Sequence, residues 1–398
     1  MTAFRTLDHA DVKDKRVLVR LDLNVPTENG KVTDVTRIER AAPTITELAD
    51  KGAKVILLSH FGRPKGGPDP KYSLAPVAQA VGEVIGRPVG FAADCIGAVA
   101  EQAVAAMKPG DVLCLENTRF HKEEEKNDPA FVKQLAQLGD IWVADAFSAS
   151  HRAHASTEGL GHVLPAYAGR SMQAELEALA KALEQPKRPV AAVVGGAKVS
   201  GKLALLGNLL DKVDVLIIGG GMANTFLAAQ GHPVGKSLCE PDLIPTANEI
   251  LAKATASGKQ ILLPVDAVVA ETFAANAPSR VAGLDDVGPN EMILDIGPRS
   301  VEHVVSELER LKTVLWNGPF GAFELTPFDT GTVTVAEAAA ELTAAGKLVT
   351  VAGGGDTVAA LNHAGAADRF TYISTAGGAF LEWLEGKALP GVDILKTK

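Results

Sequence analysis

The amino-acid sequence predicts an α/β protein with two doubly wound parallel-sheet (Rossmann-like) domains, joined by a helix and a hinge. Three observations support this prediction. At 398 residues, the chain is long for a single hydrophobic core. Short aliphatic runs alternate with longer alanine-rich segments of helical period, which is typical of βαβ units. These runs fall into two groups, one on each side of a single amphipathic segment.

The candidate strands are short runs rich in Val, Ile and Leu. In the first half of the chain they span residues 16–21, 54–58, 111–115 and 141–144. In the second half they span residues 190–194, 214–218, 260–265, 313–316 and 347–352. Each half therefore contains enough strands for a sheet of its own.

The amphipathic segment between the two groups is predicted to be a helix over residues 172–186. Its apolar residues recur at helical spacing: Met172, Leu176, Leu179 and Leu183. Pro186 ends the pattern. We interpret the segment as a link between a domain of residues 1–171 and a domain of residues 187–386. The alternative is an ordinary crossover helix inside one domain.

The composition argues against several classes of protein. The formal charge of −9 argues against a bulk polyanion such as nucleic acid as a partner. No run approaches the ~20 apolar residues of a membrane span. The N-terminal stretch MTAFRTLDHADVKDKR lacks the apolar core of a signal peptide. The sequence therefore predicts an ordinary globular protein with neither nucleic acid nor a membrane as partner.

The cysteines indicate a reducing compartment. Cys95, Cys114 and Cys239 are far apart and include no C-x-x-C pair. An odd number of isolated cysteines predicts buried thiols, without a disulfide framework and without a zinc site. The cytoplasm is the predicted location.

Arginines recur in the loops that follow the first-half strands. Ligands of open α/β sheets bind beyond the carboxyl ends of the strands, so these loops are where chemistry is expected. Arg63, Arg119 and Arg152 lie in three of them, and Arg37 follows in a nearby segment. A single surface arginine is usually a solvated charge. Because arginine binds carboxylate and phosphate in a bidentate way, the recurrence predicts a small, multiply anionic ligand.

Four histidines accompany the arginines: His60, His121, His151 and His154. The H-x-x-H pair among them lies on a loop with no carboxylate ligand set nearby. We therefore expect positioning or structural hydrogen bonds from these histidines rather than metal ligation.

The loops that follow the second-half strands are rich in glycine. They span residues 195–202, 219–224, 317–321, 353–357 and 374–379. Five such loops in one half indicate that the backbone approaches a ligand closely at many points, as a nucleotide requires.

Two of the glycine loops come close to known phosphate-binding patterns. Residues 196–202 satisfy G-x-x-x-x-G-K, but Leu203 stands where a P-loop has Ser or Thr. Residues 353–357, GGGDT, form neither a P-loop nor a complete G-x-G-x-x-G, and a tight turn is an equally good interpretation. Asp356 in this loop is interpreted either as a Mg²⁺ ligand or as a simple helix N-cap.

Seven motifs stand out along the chain: RLDLNVP (20–26), SHFGRP (59–64), LENTRFH (115–121), HRAHAS (151–156), GGAKV (195–199), WNGPFGAFE (316–324) and GGGDT (353–357). Their order, with STAGGAFLEWLEGK (374–387), resembles the phosphoglycerate kinase family over essentially the whole chain. The resemblance implies a two-domain α/β monomer that closes about a hinge. It also implies Mg²⁺-dependent, reversible phosphoryl transfer between 1,3-bisphosphoglycerate and ADP, giving 3-phosphoglycerate and ATP.

The resemblance further implies roles for residues at matching positions. The implied 3-phosphoglycerate contacts are Asp22, Leu23, Asn24, Arg37, His60, Phe61, Gly62, Arg63, Arg119 and Arg152. The implied nucleotide contacts are Lys202, Glu324, Gly354, Gly355, Asp356 and Thr357, with Asp356 as the metal ligand. The implied catalytic residues are Arg37, Lys198, Gly354 and Gly355. By the same resemblance the first domain binds 3-phosphoglycerate, the second binds the nucleotide, and the tail 387–398 packs back on the first domain.

Three places depart from the family's usual pattern: residues 148–150 (Ser-Ala-Ser), Asn224 and Ala376. None of them removes a charged group that the chemistry needs. We expect these departures to affect rate and affinity rather than reaction class.

The inventory of side chains agrees with transfer to a carboxylate. No Ser–His–Asp set or activated cysteine stands out, and a carboxylate acceptor is already ionised at neutral pH, so no general base is required. Two other functions stay open. An NAD-dependent dehydrogenase predicts a complete G-x-G-x-x-G with an acidic residue ~20 positions further on. A non-enzymatic two-domain protein that closes on an anion is the second.

Overall fold

The computed structural model of the chain describes residues 4–397. These residues form two compact units. The first unit contains the chain up to Leu176 together with the segment from Ala388 onward, and the second unit is Glu177–Lys387. Each unit contains a six-stranded sheet in which every neighbouring pair of strands is parallel. The predicted class, α/β with two parallel-sheet domains, is confirmed.

The first unit alternates strands and helices. Its strands are β1 (Arg16–Leu21), β2 (Thr27–Glu28), β3 (Lys31–Val32), β4 (Lys54–Leu58), β5 (Val89–Ala92), β6 (Val112–Leu115), β7 (Ile141–Asp145) and β8 (Ala166–Ala168). Its helices are α1 (Thr36–Asp50), α2 (Ala75–Ile85), α3 (Gly97–Ala105), α4 (Pro129–Ala136), α5 (Leu160–Val163) and the start of α6 (Arg170–Leu179). The strand order is β5-β6-β4-β1-β7-β8, and β2 and β3 form a separate short hairpin.

The central strands of this sheet are buried along almost their whole length. Val17–Leu21 in β1 and all of β7 are buried, as expected for parallel strands that are covered on both faces. The chain begins the sheet at β1, adds β4 on one side and later adds β7 on the other. This reversal is a topological switch point, and the loops after β6, β4, β1 and β7 meet at one edge of the sheet.

The second unit has the same plan with an additional small sheet. Its strands are β9 (Val190–Val194), β10 (Val215–Ile218), β11 (Gln260–Leu262), β12 (Asp266–Ala270), β13 (Ser279–Gly283), β14 (Met292–Ile296), β15 (Thr313–Asn317), β16 (Val349–Gly353) and β17 (Tyr372–Ser374). Its helices are α7 (Leu203–Lys212), α8 (Gly220–Ala229), α9 (Ile244–Ala256), α10 (Pro298–Arg310), α11 (Thr330–Ala344), α12 (Gly355–His363) and α13 (Gly378–Leu384). The parallel strands follow the order β11-β10-β9-β15-β16-β17.

The additional sheet, β13-β12-β14, is antiparallel and was not predicted. Its strands are short, and three of the five residues of β13 are exposed, so this strand has no continuous apolar run. The short strands β2, β3, β5, β8 and β17 were also missed. The nine predicted strand runs all coincide with observed parallel strands, and their ends differ by at most three residues.

The predicted helix over 172–186 corresponds to α6 and a π-helical turn, Ala180–Glu184, that continues it. The two compact units divide between Leu176 and Glu177, inside α6. The N-terminus of α6 is fixed within the first unit, where the Met172 amide donates to Asp145 Oδ1 at 2.9 Å.

The C-terminal segment belongs to the first unit. It contains the short helix α14 (Pro390–Asp393), and the Gly391 amide donates to the Ser150 carbonyl at 2.9 Å. Residues 1–3 of the predicted first domain and residue 398 of the predicted tail lie outside the described residues. Within residues 4–397, the structure has no helix with the length and apolarity needed to cross a bilayer.

Candidate functional site

The loops after β1, β4, β6 and β7 contain most of the predicted anion-binding residues. We call this edge of the first sheet the cationic edge; it comprises residues 22–26, 59–64, 116–121 and 146–154. These four strands are adjacent in the order β6-β4-β1-β7, so the four loops come together although they are distant in sequence.

Asp22 and Asn24 hold the centre of the cationic edge. The Arg37 guanidinium, in the first turn of α1, donates to Asp22 Oδ1 at 3.1 Å and to the Asn24 carbonyl at 2.8 Å. The Asn24 side chain accepts from the Gly62 amide at 2.8 Å. Arg37 keeps 40% of its side chain exposed, so it is oriented by these contacts and still open to a ligand.

One departure from the family pattern belongs to this network. The Ser148 hydroxyl donates to Asp22 Oδ2 at 2.5 Å. Ser148 therefore contributes a hydrogen bond that fixes the carboxylate which in turn orients Arg37.

Arg119 is almost completely buried beside the loop after β4. Its Nη1 donates to the Gly62 carbonyl at 3.0 Å, and its Nε lies 3.7 Å from Glu125 Oε1. The Asn117 side chain connects the two loops, because its Oδ1 accepts from the amides of both Phe61 and Arg119. These contacts hold Arg119 in a defined position within the cationic edge.

The side chains of Leu23 and Phe61 are buried, so these residues contribute to the cationic edge through their backbone groups. The Leu23 amide donates to Ser59 Oγ at 3.0 Å. The positive φ of Gly62, +60°, turns the chain beside Tyr72, where a Cβ atom would lie 2.4 Å from the ring.

Arg20 is a buried cation that the sequence analysis did not single out. Its Nε donates to Ser156 Oγ at 2.7 Å, and its Nη2 lies 3.0 Å from His60 Nδ1. Burial lowers the pKa of Arg20, while the charges of Glu124 and Asp22 raise it. The available signal was an arginine inside β1, an otherwise apolar strand.

Positive charges accumulate at the cationic edge. Burial lowers the pKa of His60 well below its usual value, and the charges of Arg20, Arg119 and Arg152 lower it further. Burial also lowers the pKa of Arg119, with Arg152 and Arg63 among the charges that add to this effect. His60 is therefore neutral near pH 7 and the arginines repel one another, which is the electrostatic condition for binding an anion.

The predicted nucleotide residues lie at the corresponding edge of the second sheet. We call it the glycine edge; it comprises residues 195–202, 219–224, 317–321, 353–357 and 374–379. These loops follow β10, β9, β15, β16 and β17, which are adjacent in this order in the sheet.

Lys202 is held at the glycine edge by Asn317. Its Nζ donates to Asn317 Oδ1, and Asn317 Nδ2 donates to the Gly353 carbonyl at 2.8 Å. Burial lowers the pKa of Lys202, whereas the charges of Asp356 and Glu385 raise it. Asn317 was inside a quoted motif, but the sequence analysis gave it no role.

Close backbone approach at this edge requires glycine. A Cβ atom on Gly195 would lie 2.0 Å from the Pro319 carbonyl oxygen, and Gly318 has φ +109°. The Thr357 hydroxyl accepts from the Gly318 amide at 2.7 Å and is buried. Thr357 therefore joins the loops after β15 and β16 in this structure.

A cavity of about 380 Å³ opens beside the glycine edge. Its lining includes Gly196, Gly220, Phe320, Glu324 and Asp356. Glu324 is exposed, and so is Lys198 in the first of the loops. The volume is in the range typical of small-molecule sites.

Asp356 lies inside helix α12 rather than capping it. The N-cap is Gly354, so the interpretation of Asp356 as a simple N-cap is wrong. Its exposed carboxylate lines the cavity in the first helical turn. Because Mg²⁺ is usually bound by one or two carboxylates together with phosphate oxygens, Asp356 fits a magnesium ligand.

Fold and edges together define an α/β protein with groups suited to anionic ligands on both of its parallel sheets. The profile of the phosphoglycerate kinase family matches residues 7–387. The chain belongs to the phosphoglycerate kinase family. It is accordingly a kinase of glycolysis, a phosphotransferase that acts on small-molecule substrates.

Relatives resemble the chain over its full length. It is 70% identical to a phosphoglycerate kinase of Rhodopseudomonas palustris over 395 residues, with 99% of each chain covered. It is 68% identical to that of Bradyrhizobium diazoefficiens, again with 99% of each covered. Among solved structures, a phosphoglycerate kinase from Coxiella burnetii has a TM-score of 0.92 at 44% identity, covering 99% of this chain and 98% of that one.

Proposed function

We propose that the protein catalyses reversible, Mg²⁺-dependent phosphoryl transfer between 1,3-bisphosphoglycerate and ADP, giving 3-phosphoglycerate and ATP. The observation that carries this proposal is a group of mutually repelling cations: Arg119 and Arg152 at the cationic edge and the buried Arg20 in β1. A ligand with a carboxylate and a phosphate would offset that repulsion. We therefore assign 3-phosphoglycerate to the first unit and the nucleotide to the cavity and glycine edge of the second.

The transfer needs charge stabilisation rather than a general base. A carboxylate acceptor is ionised at neutral pH, so positioning and neutralisation of the phosphoryl oxygens remain. We assign that role to Arg37, Lys198 and the backbone N–H groups of Gly354 and Gly355 at the start of α12. Asp356 would hold Mg²⁺, which when bound would further neutralise phosphate charge.

Closure of the two units about α6 is part of the proposal. Arg37 belongs to the first unit and Lys198 to the second, and both are assigned to the same phosphoryl group. An acyl phosphate is hydrolysed by water, so its transfer is best made in a closed site.

Free thiols at Cys95, Cys114 and Cys239 support a cytoplasmic location. We also propose a monomer, which light scattering on the eluted protein tests.

The decisive experiment supplies ATP and 3-phosphoglycerate and follows the acyl phosphate product through a coupled, NADH-consuming reductase. We expect turnover with Mg²⁺ and none after chelation by EDTA. Saturable binding of both ligands without turnover would instead indicate an anion-binding protein. Nicotinamide-dependent turnover without ATP and without the coupling enzyme would indicate a dehydrogenase.

A further inference from the structure

Three side chains with metal-ligating groups meet in the first unit. Asp94 and Cys95 follow β5, and His121 lies beyond the end of β6, the neighbouring strand. One donor atom from each residue lies within 4.8 Å of the other two. His121 Nε2 is 2.7 Å from Asp94 Oδ1, which also accepts from the Cys95 amide at 2.7 Å. The absence of paired cysteines from the sequence predicted no zinc site, whereas this cluster has a single cysteine.

The chemistry of the three groups selects a class of metal. A thiolate, an imidazole and a carboxylate are ligands of Zn²⁺ and similar transition-metal ions, whereas Mg²⁺ and Ca²⁺ prefer oxygen. Tetrahedral coordination with usual bond lengths places neighbouring N and O ligands ~3.4 Å apart. His121 and Asp94 would therefore separate by ~0.7 Å to admit an ion, and a fourth position would be left for water.

The surroundings of the cluster favour a cation. Three carboxylates, those of Asp94, Glu116 and Glu124, lie close enough to Cys95 to act on it electrostatically. The Glu124 carboxylate is buried, and its Oε2 has no hydrogen-bond partner among residues 4–397. A divalent ion would offset this negative potential. It would take the place of the thiol proton, which would pass to solvent.

An ion can reach the cluster from solvent. The side chains of His121 and Asp94 are 27% and 41% exposed, whereas Cys95 is fully buried behind them. The cluster thus has two accessible ligands that an ion meets first and one buried thiol that anchors it.

We propose that Asp94, Cys95 and His121 form a binding site for a divalent transition-metal ion of the zinc class. Occupation of this site weakens binding of the anionic substrate at the cationic edge. His121 is the C-cap of the short 3₁₀ helix Thr118–Phe120, where its amide donates to the Thr118 carbonyl at 3.3 Å. Because Arg119 lies in that turn, a shift of His121 toward a metal displaces Arg119. This consequence rests on the proposed function, whereas metal binding itself does not.

Cobalt(II) is the probe for binding, because a Cys–Co²⁺ bond gives a charge-transfer absorption. The full-length protein should bind one equivalent and show this band, and Zn²⁺ should displace it. Cys95→Ala should abolish the band, while Cys114→Ala, which removes another fully buried thiol of the same unit, should retain it. His121→Gln and Asp94→Asn replace partly exposed groups. Each should lower the affinity for Co²⁺ by more than the ~10–100-fold that loss of an outer-shell partner costs.

Thermal unfolding of each variant identifies any loss of fold. A band that persists in Cys95→Ala, or affinities unchanged in both His121→Gln and Asp94→Asn, would overturn the site.

The kinetic consequence is measured with free Zn²⁺ fixed by a metal buffer and Mg²⁺–ATP saturating. Zn²⁺ should raise KM for 3-phosphoglycerate in the unmodified chain, with KM for ATP constant, and should have no such effect in His121→Gln. Cobalt binding with an unchanged KM would refute the link to Arg119 and leave the metal site standing. Absence of turnover with 3-phosphoglycerate under every condition would refute the proposed function instead.

Discussion

The cationic edge and the glycine edge occupy equivalent places at the carboxyl ends of parallel strands, but different parts of the chain supply their polar groups. At the cationic edge the groups are side chains, and Asp22, Asn24 and Asn117 hold the arginines or their loops by accepting hydrogen bonds from Arg37, Gly62 and Arg119. At the glycine edge the backbone itself comes close, and one lysine is held by Asn317. The same fold therefore presents two kinds of group to an anion: arginine side chains at the cationic edge, and backbone with one lysine at the glycine edge.

The difference suggests what each edge can discriminate. Arginine forks fix the direction of a carboxylate or phosphate, which suits a small substrate with few other features. Backbone N–H groups at a helix start give a less directional positive field, which suits a nucleotide that is also held through its base and ribose in a cavity.

Arg37→Ala should have the largest effect on catalysis. If Arg37 contacts the transferring phosphoryl group, its loss should lower kcat ~10²–10³-fold, as for other donors to developing charge. Nucleotide affinity should stay nearly unchanged, because the nucleotide is assigned to the second unit. Steady-state kinetics and ADP titration measure both quantities.

Arg87→Ala is the matched control for this arginine. Arg87 forms an exposed pair with Asp50 at 2.5 Å, of a kind that contributes at most ~1 kcal/mol to stability. The substitution Arg87→Ala should therefore leave kcat and KM unchanged. Near-normal turnover in Arg37→Ala would remove Arg37 from the mechanism.

The parallel strands could be predicted from sequence because burial on both faces requires continuous apolar runs. β1, β4 and β9 match their predicted runs residue for residue. The three-stranded antiparallel sheet could not be predicted in this way, because the conformation of an exposed strand such as β13 depends on the neighbouring strands.

The loops at the strand ends could be predicted from the sequence, whereas the contacts within them could not. Strand-end position and residue type marked Arg119 as a candidate, and the near-P-loop pattern marked Lys202. They could not show that Ser148 would bond to Asp22, nor that Arg20 would turn toward His60. Those contacts depend on side-chain directions that only the packed sheet determines.

Asp145 tests whether a carboxylate adjacent to the cationic edge serves a ligand. It ends β7 and caps α6, and burial raises its pKa to about 6, against hydrogen bonds from Met172 and Thr44 that lower it. The folded state binds the Asp145 proton more tightly than the unfolded state does. Asp145 therefore stabilises the fold below pH ~4, and this contribution to the free energy of unfolding, ~3 kcal/mol in all, is lost as the pH rises through 6.

Asp145→Asn should remove that loss. Urea unfolding at pH 5 and pH 8 should show a smaller decrease in the free energy of unfolding for Asp145→Asn than for the unmodified chain. Its KM for 3-phosphoglycerate should be unchanged. An altered KM with an unaltered pH profile would make Asp145 a ligand group instead of part of the scaffold.

Lys202→Met should affect the glycine edge alone. A lost charge-assisted hydrogen bond costs ~1.5–3 kcal/mol, so calorimetry should find ADP affinity lowered ~10–100-fold. The affinity for 3-phosphoglycerate should not change. Lys253→Met is the control, because Lys253 is half-exposed and pairs with Asp211 at 2.9 Å on the surface. Equal losses for the two ligands would contradict the division between the edges.

Gly354→Ala tests the close approach of the backbone itself. Gly354 has φ +99° and ψ 141°, a conformation that costs other residues ~1–3 kcal/mol. An added Cβ would lie 2.7 Å from Asn317 Nδ2, and Asn317 holds Lys202. Because a shift of Asn317 would release Lys202, we expect ADP affinity to fall about tenfold, which corresponds to ~1.4 kcal/mol, with 3-phosphoglycerate binding unchanged.

Gly365→Ala separates this approach from backbone strain. Gly365 also has a positive φ, +65°, but a Cβ there would meet no described atom within 4 Å. Both variants should lose stability, and only Gly354→Ala should lose ADP affinity. If Gly365→Ala weakened ADP binding as much, the loss would come from strain in the second unit, and the glycine edge would not need its backbone close to the nucleotide.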